Sequence, residues 1–360
     1  MRGLGISIYP EHGSLQEIID YIQLASKYGF TRIFTCFISI KDEDFEKFKC
    51  IMVEAGKCNM KVIADISPEV FEKMQASVHD LKPFVDLGLS GIRLDIGFTG
   101  NEESIMTANP YGLKIEINMS NGTKYLETIM SYQPVKENLY GCHNFYPHRY
   151  TGLSNEHFMK CSQQFSDLGI HTAGFVSSEH ARFGPWPVEE GLCTLESHRD
   201  LDIVTQAKDL FSSGLIDDVI IGNAFASESE LKLLSELTKE MIEFRVSLEE
   251  NITELEKTIV LEEPHFNRGD VSAYMIRSTQ SRVKYRGEYF EPKNIRDIKK
   301  GDILIDSSLY ARYAGELQIA LKDMKNSGKT SIVGKISDDE IYLLDRVKPW
   351  QKFKLIKSEV

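Results

Sequence analysis

The sequence predicts an α/β chain in which a (β/α)8 barrel is followed by a small β-rich domain. Three observations predict it. Eight short runs rich in Val, Ile and aromatic residues alternate with amphipathic segments over the first 240 or so residues. The alternation then gives way to closely spaced strand-like runs separated by turn signals. The length of 360 residues, 42% of them apolar and 27% charged, supplies enough core for one large domain and a smaller one.

The expected barrel strands, in order, are Leu4 to Tyr9, Arg32 to Phe37, Lys61 to Ile66, Gly91 to Gly97, Lys114 to Met119, Leu139 to Phe145, His171 to Ser177 and Asp218 to Asn223. Helix punctuation separates them. Ser14-Leu15-Gln16-Glu17 is a capping-box pattern that opens a helix burying Ile18, Ile19, Ile22 and Ala25, with Gly29 past its end. Ser154 and Gly169 bracket a second helix, in which Phe158, Cys161, Phe165 and Leu168 recur at helical spacing. Ser197 with Asp200 marks a third start, ahead of Val204, Ala207, Leu210 and Phe211. The rival open doubly wound sheet commonly carries a Gly-rich phosphate turn after its first strand. Here that strand runs into Tyr9-Pro10-Glu11-His12-Gly13, and no GxGxxG or GxxxxGK[ST] occurs.

The domain boundary is expected at 244/245, giving a barrel over 1–244 and a β domain over 245–360. In the latter, Val271 to Ser278, Gly301 to Ser307, Glu316 to Leu321, Ser331 to Ile336 and Ile341 to Leu344 read as strands. The basic tail Lys348 to Lys357 alternates with apolar residues and reads as a further strand with a solvated face.

Charge and cysteine usage exclude several classes. The net charge is −12. Residues 1–244 hold 21 basic against 35 acidic side chains, whereas 245–360 hold 21 against 19. So acidic a first part argues against a nucleic-acid partner, which needs a basic face to displace counterions. The N-terminal apolar stretch is too short and polar for a secretory signal, and no run reaches a membrane span, so a cytoplasmic location with no membrane partner is expected. The six cysteines form no CxxC pair, and reduced thiols are expected. Homo-oligomerisation stays open.

Barrel active sites form where the carboxyl ends of the strands meet. Ala64-Asp65-Ile66, Arg93-Leu94-Asp95 and Glu116-Ile117-Asn118 each set a carboxylate within an apolar run, and period-two alternation turns Arg93 with Asp95, and Glu116 with Asn118, toward the barrel interior. Carboxylates gathered in one cleft suit acid–base or nucleophilic work, because repulsion and burial raise one pKa while a cation holds another group ionised. Asp95 and Glu116 are the expected catalytic pair, with Asp65 third. Strand six runs into His143-Asn144-Phe145-Tyr146-Pro147-His148-Arg149, a surface fit to stack on a sugar and bond its hydroxyls. His143, Asn144, Tyr146 and Arg149, with Tyr9, Arg93, Asn118, Glu179 and Asn223 at other strand ends, are the expected substrate contacts. The long connection after strand seven, residues 178–199, offers Arg182, Thr194, Glu196, His198 and Arg199 as a phosphate cradle.

Taken together, Gly5-Ile6-Ser7-Ile8-Tyr9-Pro10, Arg93-Leu94-Asp95, Glu116-Ile117-Asn118, His143-Asn144-Phe145-Tyr146-Pro147, Thr151-Gly152-Leu153 and Glu190-Gly191-Leu192-Cys193-Thr194-Leu195-Glu196-Ser197-His198-Arg199 make the sequence resemble the bacterial 6-phospho-N-acetylmuramidases. The resemblance implies a TIM barrel with a C-terminal cyclophilin-like domain. It also implies hydrolysis of the disaccharide of N-acetylmuramic acid 6-phosphate and N-acetylglucosamine during cell-wall recycling. The implied partner is thus a phosphorylated amino-sugar disaccharide. Cys193 departs from the family pattern, which has proline there, and this puts in doubt how closely the loop approaches Thr194 and Glu196.

Two other readings remain. A metal-dependent sugar-phosphate isomerase or aldolase could use the same mouth, with His143, His148, Asp65, Asp95 and Glu116 as ligands, but no HxH or HExxH spacing supports it, and neither metal nor cofactor is expected. In a non-catalytic sugar-phosphate-binding protein the inward carboxylates would be purely structural.

Overall fold

The computed structural model describes residues 3–37, 45–188, 190–238 and 241–358; Glu189 of the long connection lies outside them. Contacts divide the chain into two compact units, 1–237 and 238–360.

In the first unit, the parallel strands β1 (Gly3–Ile8), β2 (Arg32–Cys36), β3 (Lys61–Ile66), β4 (Gly91–Leu94), β5 (Lys114–Asn118), β6 (Leu139–Cys142), β7 (His171–Val176) and β8 (Asp218–Ile221) pair in sequence, and β8 closes on β1. This is a TIM barrel, as expected. The helices of this unit are α1 (Leu15–Lys27), α2 (Phe45–Lys57), α3 (Pro68–Lys73), α4 (Lys82–Asp86), α5 (Asn101–Thr107), α6 (Tyr125–Ser131), α7 (Asn155–Asp167), α8 (Ile203–Ser213) and α9 (Glu228–Ser235). Alternation along each strand sorts the side chains. Leu4, Ile6, Ile8, Val62, Ala64 and Ile66 face outward into one core with Ile18, Ile22, Phe48 and Ile51 of the helices. Phe34, Cys36, Cys142, Ala173, Phe175 and Ile220 face inward and fill the barrel.

Local signals act as read. The Ser14 hydroxyl accepts from Glu17 N at 3.3 Å while the Glu17 carboxylate accepts from Ser14 N at 2.7 Å. Ser154 caps α7 in the same sense, accepting from His157 N. The third start is corrected: Asp202, not Ser197, caps α8, accepting from Val204 N and Thr205 N at 3.1 and 3.0 Å. Ser197 lies in a separate 3-10 turn, Glu196–His198.

The second unit is a mixed seven-stranded sheet with α10 (Glu254–Leu261) and α11 (Gln280–Lys284). Its strands are β9 (Ile242–Leu248), β10 (His265–Phe266), β11 (Met275–Ser278), β12 (Asp302–Asp306), β13 (Leu317–Ala320), β14 (Thr330–Ile336) and β15 (Lys352–Lys357), in the spatial order β10-β15-β9-β14-β12-β13-β11. The β9–β15 pair is parallel and the other pairs are antiparallel. The expected break at 244/245 falls inside β9, whose strict alternation from Ile242 to Leu248 was the signal for an earlier start. Ile341 to Leu344 is not a strand. It lies in a 3-10 helix, Asp338–Arg346, that buries Leu343 and Leu344 and aims the fully buried Glu340 at Arg245. A short apolar run carries too little periodicity to tell the two apart.

Candidate active site

Depth along the strands decides which inward carboxylates can meet a substrate. Asp65 is the penultimate residue of β3, and Asp95 follows the last residue of β4. Both therefore reach the carboxyl-end mouth, and both meet the buried Arg93: its Nη1 donates to Asp65 Oδ1 at 2.9 Å and to Asp95 Oδ1 at 3.5 Å. The other terminal nitrogen donates to Asn144 Oδ1, and Asn118 Nδ2 donates to Asp95 at 3.5 Å. The Asp95 side chain is 43% exposed and that of Asp65 13%. Burial pushes the Asp65 carboxyl up to about 6; the Arg93 charge opposes this rise, and Asp95 and Glu116 add to it. Burial works against the charge of Arg93 as well, but Asp65, Asp95 and Glu116 outweigh it and hold the guanidinium ionised.

Glu116 is elsewhere. It sits mid-strand in β5, is fully buried, and pairs with Arg32 at the start of β2. Arg32 also meets Asp218 at 3.1 Å, and His171 reaches the same Asp218 oxygen at 2.8 Å. Glu116 thus belongs to an ionic cluster with Arg32, Asp218 and His171, while Asp65 and Asp95 share Arg93.

Several expected substrate contacts are committed to the fold. The Tyr9 ring is buried among the barrel aromatics and its hydroxyl donates to Gly222 O at 2.5 Å. His143 is fully buried: its Nδ1 lies 3.1 Å from Ser120 Oγ, its Nε2 2.8 Å from Ser162 Oγ, and its ring packs on Phe158. Burial pulls His143 down to about 3, so it is neutral. It acts through Ser120, whose hydroxyl accepts from Asn144 N at 2.9 Å and so fixes a mouth residue. Asn223 accepts from Ser178 N and donates to Ser178 O, both at 2.8 Å, pinning the exit of β7. Tyr146 is half-buried near the mouth, Glu179 is exposed, and Arg149 forms a fork with Asp200 at 2.8 and 3.0 Å.

The expected phosphate cradle is a clamp. Nε and Nη2 of Arg199 donate to Glu196 at 2.7 Å each, and Nη1 donates to the carbonyls of Tyr146, Glu190 and Gly191 at 3.0, 2.8 and 3.2 Å. Glu196 also accepts from Tyr150 N and Gly152 N, both at 2.8 Å. Arg199 and these amides hold its carboxyl down at about 2. Thr194 accepts from Phe175 N and donates to Asn144 O, and His198 meets Asp209 at 2.9 Å in full burial. Thr194, Glu196, His198 and Arg199 thus anchor the loop through contacts made within the fold. Arg182 differs: its side chain is exposed and makes no hydrogen bond or ion pair with a described residue.

The comparisons with known proteins bear on what this mouth does. The family model for the N-terminal part of 6-phospho-N-acetylmuramidases matches residues 4–236, and that for the C-terminal part matches 242–356. The chain belongs to the 6-phospho-N-acetylmuramidase family. It is accordingly a glycosidase. Among solved structures it is similar to an uncharacterized B. cereus protein, at 46% identity and a TM-score of 0.91 over 99% of both chains. A conserved Enterococcus faecalis protein of unknown function is similar at 25% identity and a TM-score of 0.72, over 99% of this chain and 96% of that one. A search of curated proteins finds no match.

The mouth brings together the half-exposed Asp95, the more buried Asp65 and the Arg93 guanidinium that both carboxylates reach. Sequence reading missed the residues that hold these groups. Glu103 is fully buried and accepts from Phe98 N, from Gly100 N at 2.7 Å and from the Tyr125 hydroxyl, pinning the loop that carries Asp95. Gly100 followed three residues later by Glu103 was the available signal. Cys193 is fully buried and its carbonyl accepts from Tyr146 N at 3.1 Å. The adjoining Thr194 donates its amide to Phe175 O at 3.0 Å, so the loop is held at this point with cysteine in place.

Proposed function

We propose that the protein hydrolyses the glycosidic bond between N-acetylmuramic acid 6-phosphate and N-acetylglucosamine, in cytoplasmic recycling of cell-wall fragments. Asp65 is the acid and Asp95 the carboxylate that meets the anomeric carbon or its water. The observation that carries this reading is the single Arg93 nitrogen shared by Asp65 and Asp95, with the Asp65 carboxyl raised to about 6. Raised from the ordinary aspartate range to about 6, the Asp65 carboxyl can hold the proton that a leaving glycosidic oxygen requires. Arg93 keeps its neighbours anchored, and Asn144 and Asn118 stand where hydroxyl or N-acetyl groups can be bonded. Among the described residues no helix is long and apolar enough to cross a membrane. All six cysteines are free thiols, in keeping with a reducing compartment.

Two carboxylates that reach one nitrogen lie within the span glycosidases use, roughly 5 Å for retention and roughly 6.5 to 9.5 Å for inversion. Proton NMR of the first anomer released from the phosphorylated disaccharide distinguishes the two. Retention would make Asp95 the nucleophile, and inversion would make it the base that activates a water; an anomer ratio unchanged from spontaneous hydrolysis in Asp95→Asn and wild type alike would remove Asp95 from either role.

A further inference from the structure

The second unit contains a cavity of about 890 Å3 with an unusual charge balance. Its walls, drawn from residues 268–314, carry five arginines, Arg268, Arg277, Arg282, Arg286 and Arg312, against two carboxylates, Asp270 and Glu288. In a chain of net charge −12, so many cations on one concave surface must be assembled against their mutual repulsion.

Arg268 spends its fork on Asp270, Nε and Nη2 donating at 2.6 Å each, and the partners of the other four divide them into two sets. Beneath the cavity, the fully buried Glu316 meets Arg277 Nε and Arg282 Nη1, both at 2.8 Å. Each arginine spends one face on this anchor and keeps its remaining N–H groups, and the guanidinium planes are held in place. Arg282 also lies over the Tyr313 ring at 5.1 Å, which fixes it further. Arg286 and Arg312, by contrast, are exposed and make no hydrogen bond or ion pair with a described residue. Arg286 follows α11, and Arg312 lies in the 3-10 turn Ser308–Tyr313. Two anchored forks and two unspent ones around one hollow are the donor set of an oxyanion site, since guanidinium forks match phosphate geometry bidentately. Tyr285 and Tyr313 line the same wall and supply flat apolar faces beside it. The volume lies within the range of small-molecule sites, roughly 300 to 1,000 Å3, and exceeds what a bare anion needs.

We propose that this cavity binds a small phosphorylated carbohydrate, with the phosphate on Arg277, Arg282, Arg286 and Arg312 and the sugar against Tyr313. The inference stands on the second unit alone and does not rest on the hydrolase reading of the barrel mouth.

The test labels the full-length protein with phenylglyoxal, an arginine reagent, and locates the modified residues by mass spectrometry with and without N-acetylglucosamine 6-phosphate, inorganic phosphate or N-acetylglucosamine. The sugar phosphate is expected to slow labelling of Arg286 and Arg312, inorganic phosphate to do so only at higher concentration, and the unphosphorylated sugar not at all. In parallel, calorimetric titration of the Arg286→Ala/Arg312→Ala variant with the sugar phosphate should show one binding event weakened about tenfold or more relative to wild type. Equal protection by inorganic phosphate and sugar phosphate would overturn the carbohydrate part. Absence of protection at these two arginines, or unchanged titration of the variant, would overturn the site itself. None of these readouts depends on turnover in the barrel.

Discussion

Arg93 and Arg199 are both buried arginines paired with carboxylates, yet the two clusters are opposites. Around Arg199 all three nitrogens donate, three of the acceptors are backbone carbonyls, and Glu196 is driven down to about 2. Around Arg93 two carboxylates share one nitrogen, and the more buried of them is driven up to about 6. A saturated pair ties chain segments together. An under-neutralised one retains a proton that can be moved. The two carboxylates' shifts run in opposite directions, Glu196 down through its bonds to Arg199 and the Tyr150 and Gly152 amides and Asp65 up through burial.

That contrast can be broken or sharpened by substitution. The largest expected effect is at the mouth: Asp95→Asn should lower kcat by roughly a thousandfold with little change in melting temperature, measured on the phosphorylated disaccharide. Near-normal kcat would remove Asp95 from the reaction. Next, Glu196→Ala leaves the buried Arg199 guanidinium without its carboxylate, and should cost about 3 kcal/mol of stability in urea unfolding while folded protein keeps its kcat. A variant as stable as wild type would mean that the clamp is dispensable. Moderate losses are expected at the positioning residues, about tenfold in kcat for Glu103→Gln, with a larger effect on kcat than on KM. An equal rise in KM would assign Glu103 to binding.

The smallest effect is also the most diagnostic of sign. Because Glu196 titrates lower in the folded chain than its ordinary value of 4.5, its stabilisation is complete above pH 4.5 and is lost as the pH falls through about 2. Asp65 titrates higher than its ordinary 3.8, so the stability it contributes is complete below pH 3.8 and is lost as the pH rises through about 6. Unfolding free energy measured against pH should thus lose its lower slope in Glu196→Gln and keep the upper one. Loss of the upper slope in that variant would contradict the separation of the two clusters.

Much of this was legible in the residues themselves. The eight strands could be read because each is a short β-branched run bounded by capping signals such as Ser14 with Glu17. The inward direction of Asp65, Arg93, Asp95 and Glu116 followed from period two. Depth did not, because it depends on inter-strand register: Glu116 lies beside Arg93 and faces Arg32 below, while Asp95 lies past the end of β4. The surroundings of Arg199 were illegible for another reason. It donates to carbonyls of Tyr146, Glu190 and Gly191, and no local pattern announces a partner 53 residues away. His143 looked like a ligand and is a neutral core residue, because its burial comes from Phe158 and Ser162 on α7.

The central claim is that Asp65 holds the catalytic proton. It is tested most directly by the pH dependence of kcat/KM for the wild type and Asp65→Asn on the disaccharide of N-acetylmuramic acid 6-phosphate and N-acetylglucosamine. The account predicts a wild-type rate that falls as pH rises through about 6, where the acid ionises, and an Asp65→Asn rate lower by about a hundredfold or more with that limb absent. An Asp65→Asn enzyme that keeps both the rate and the limb would contradict it.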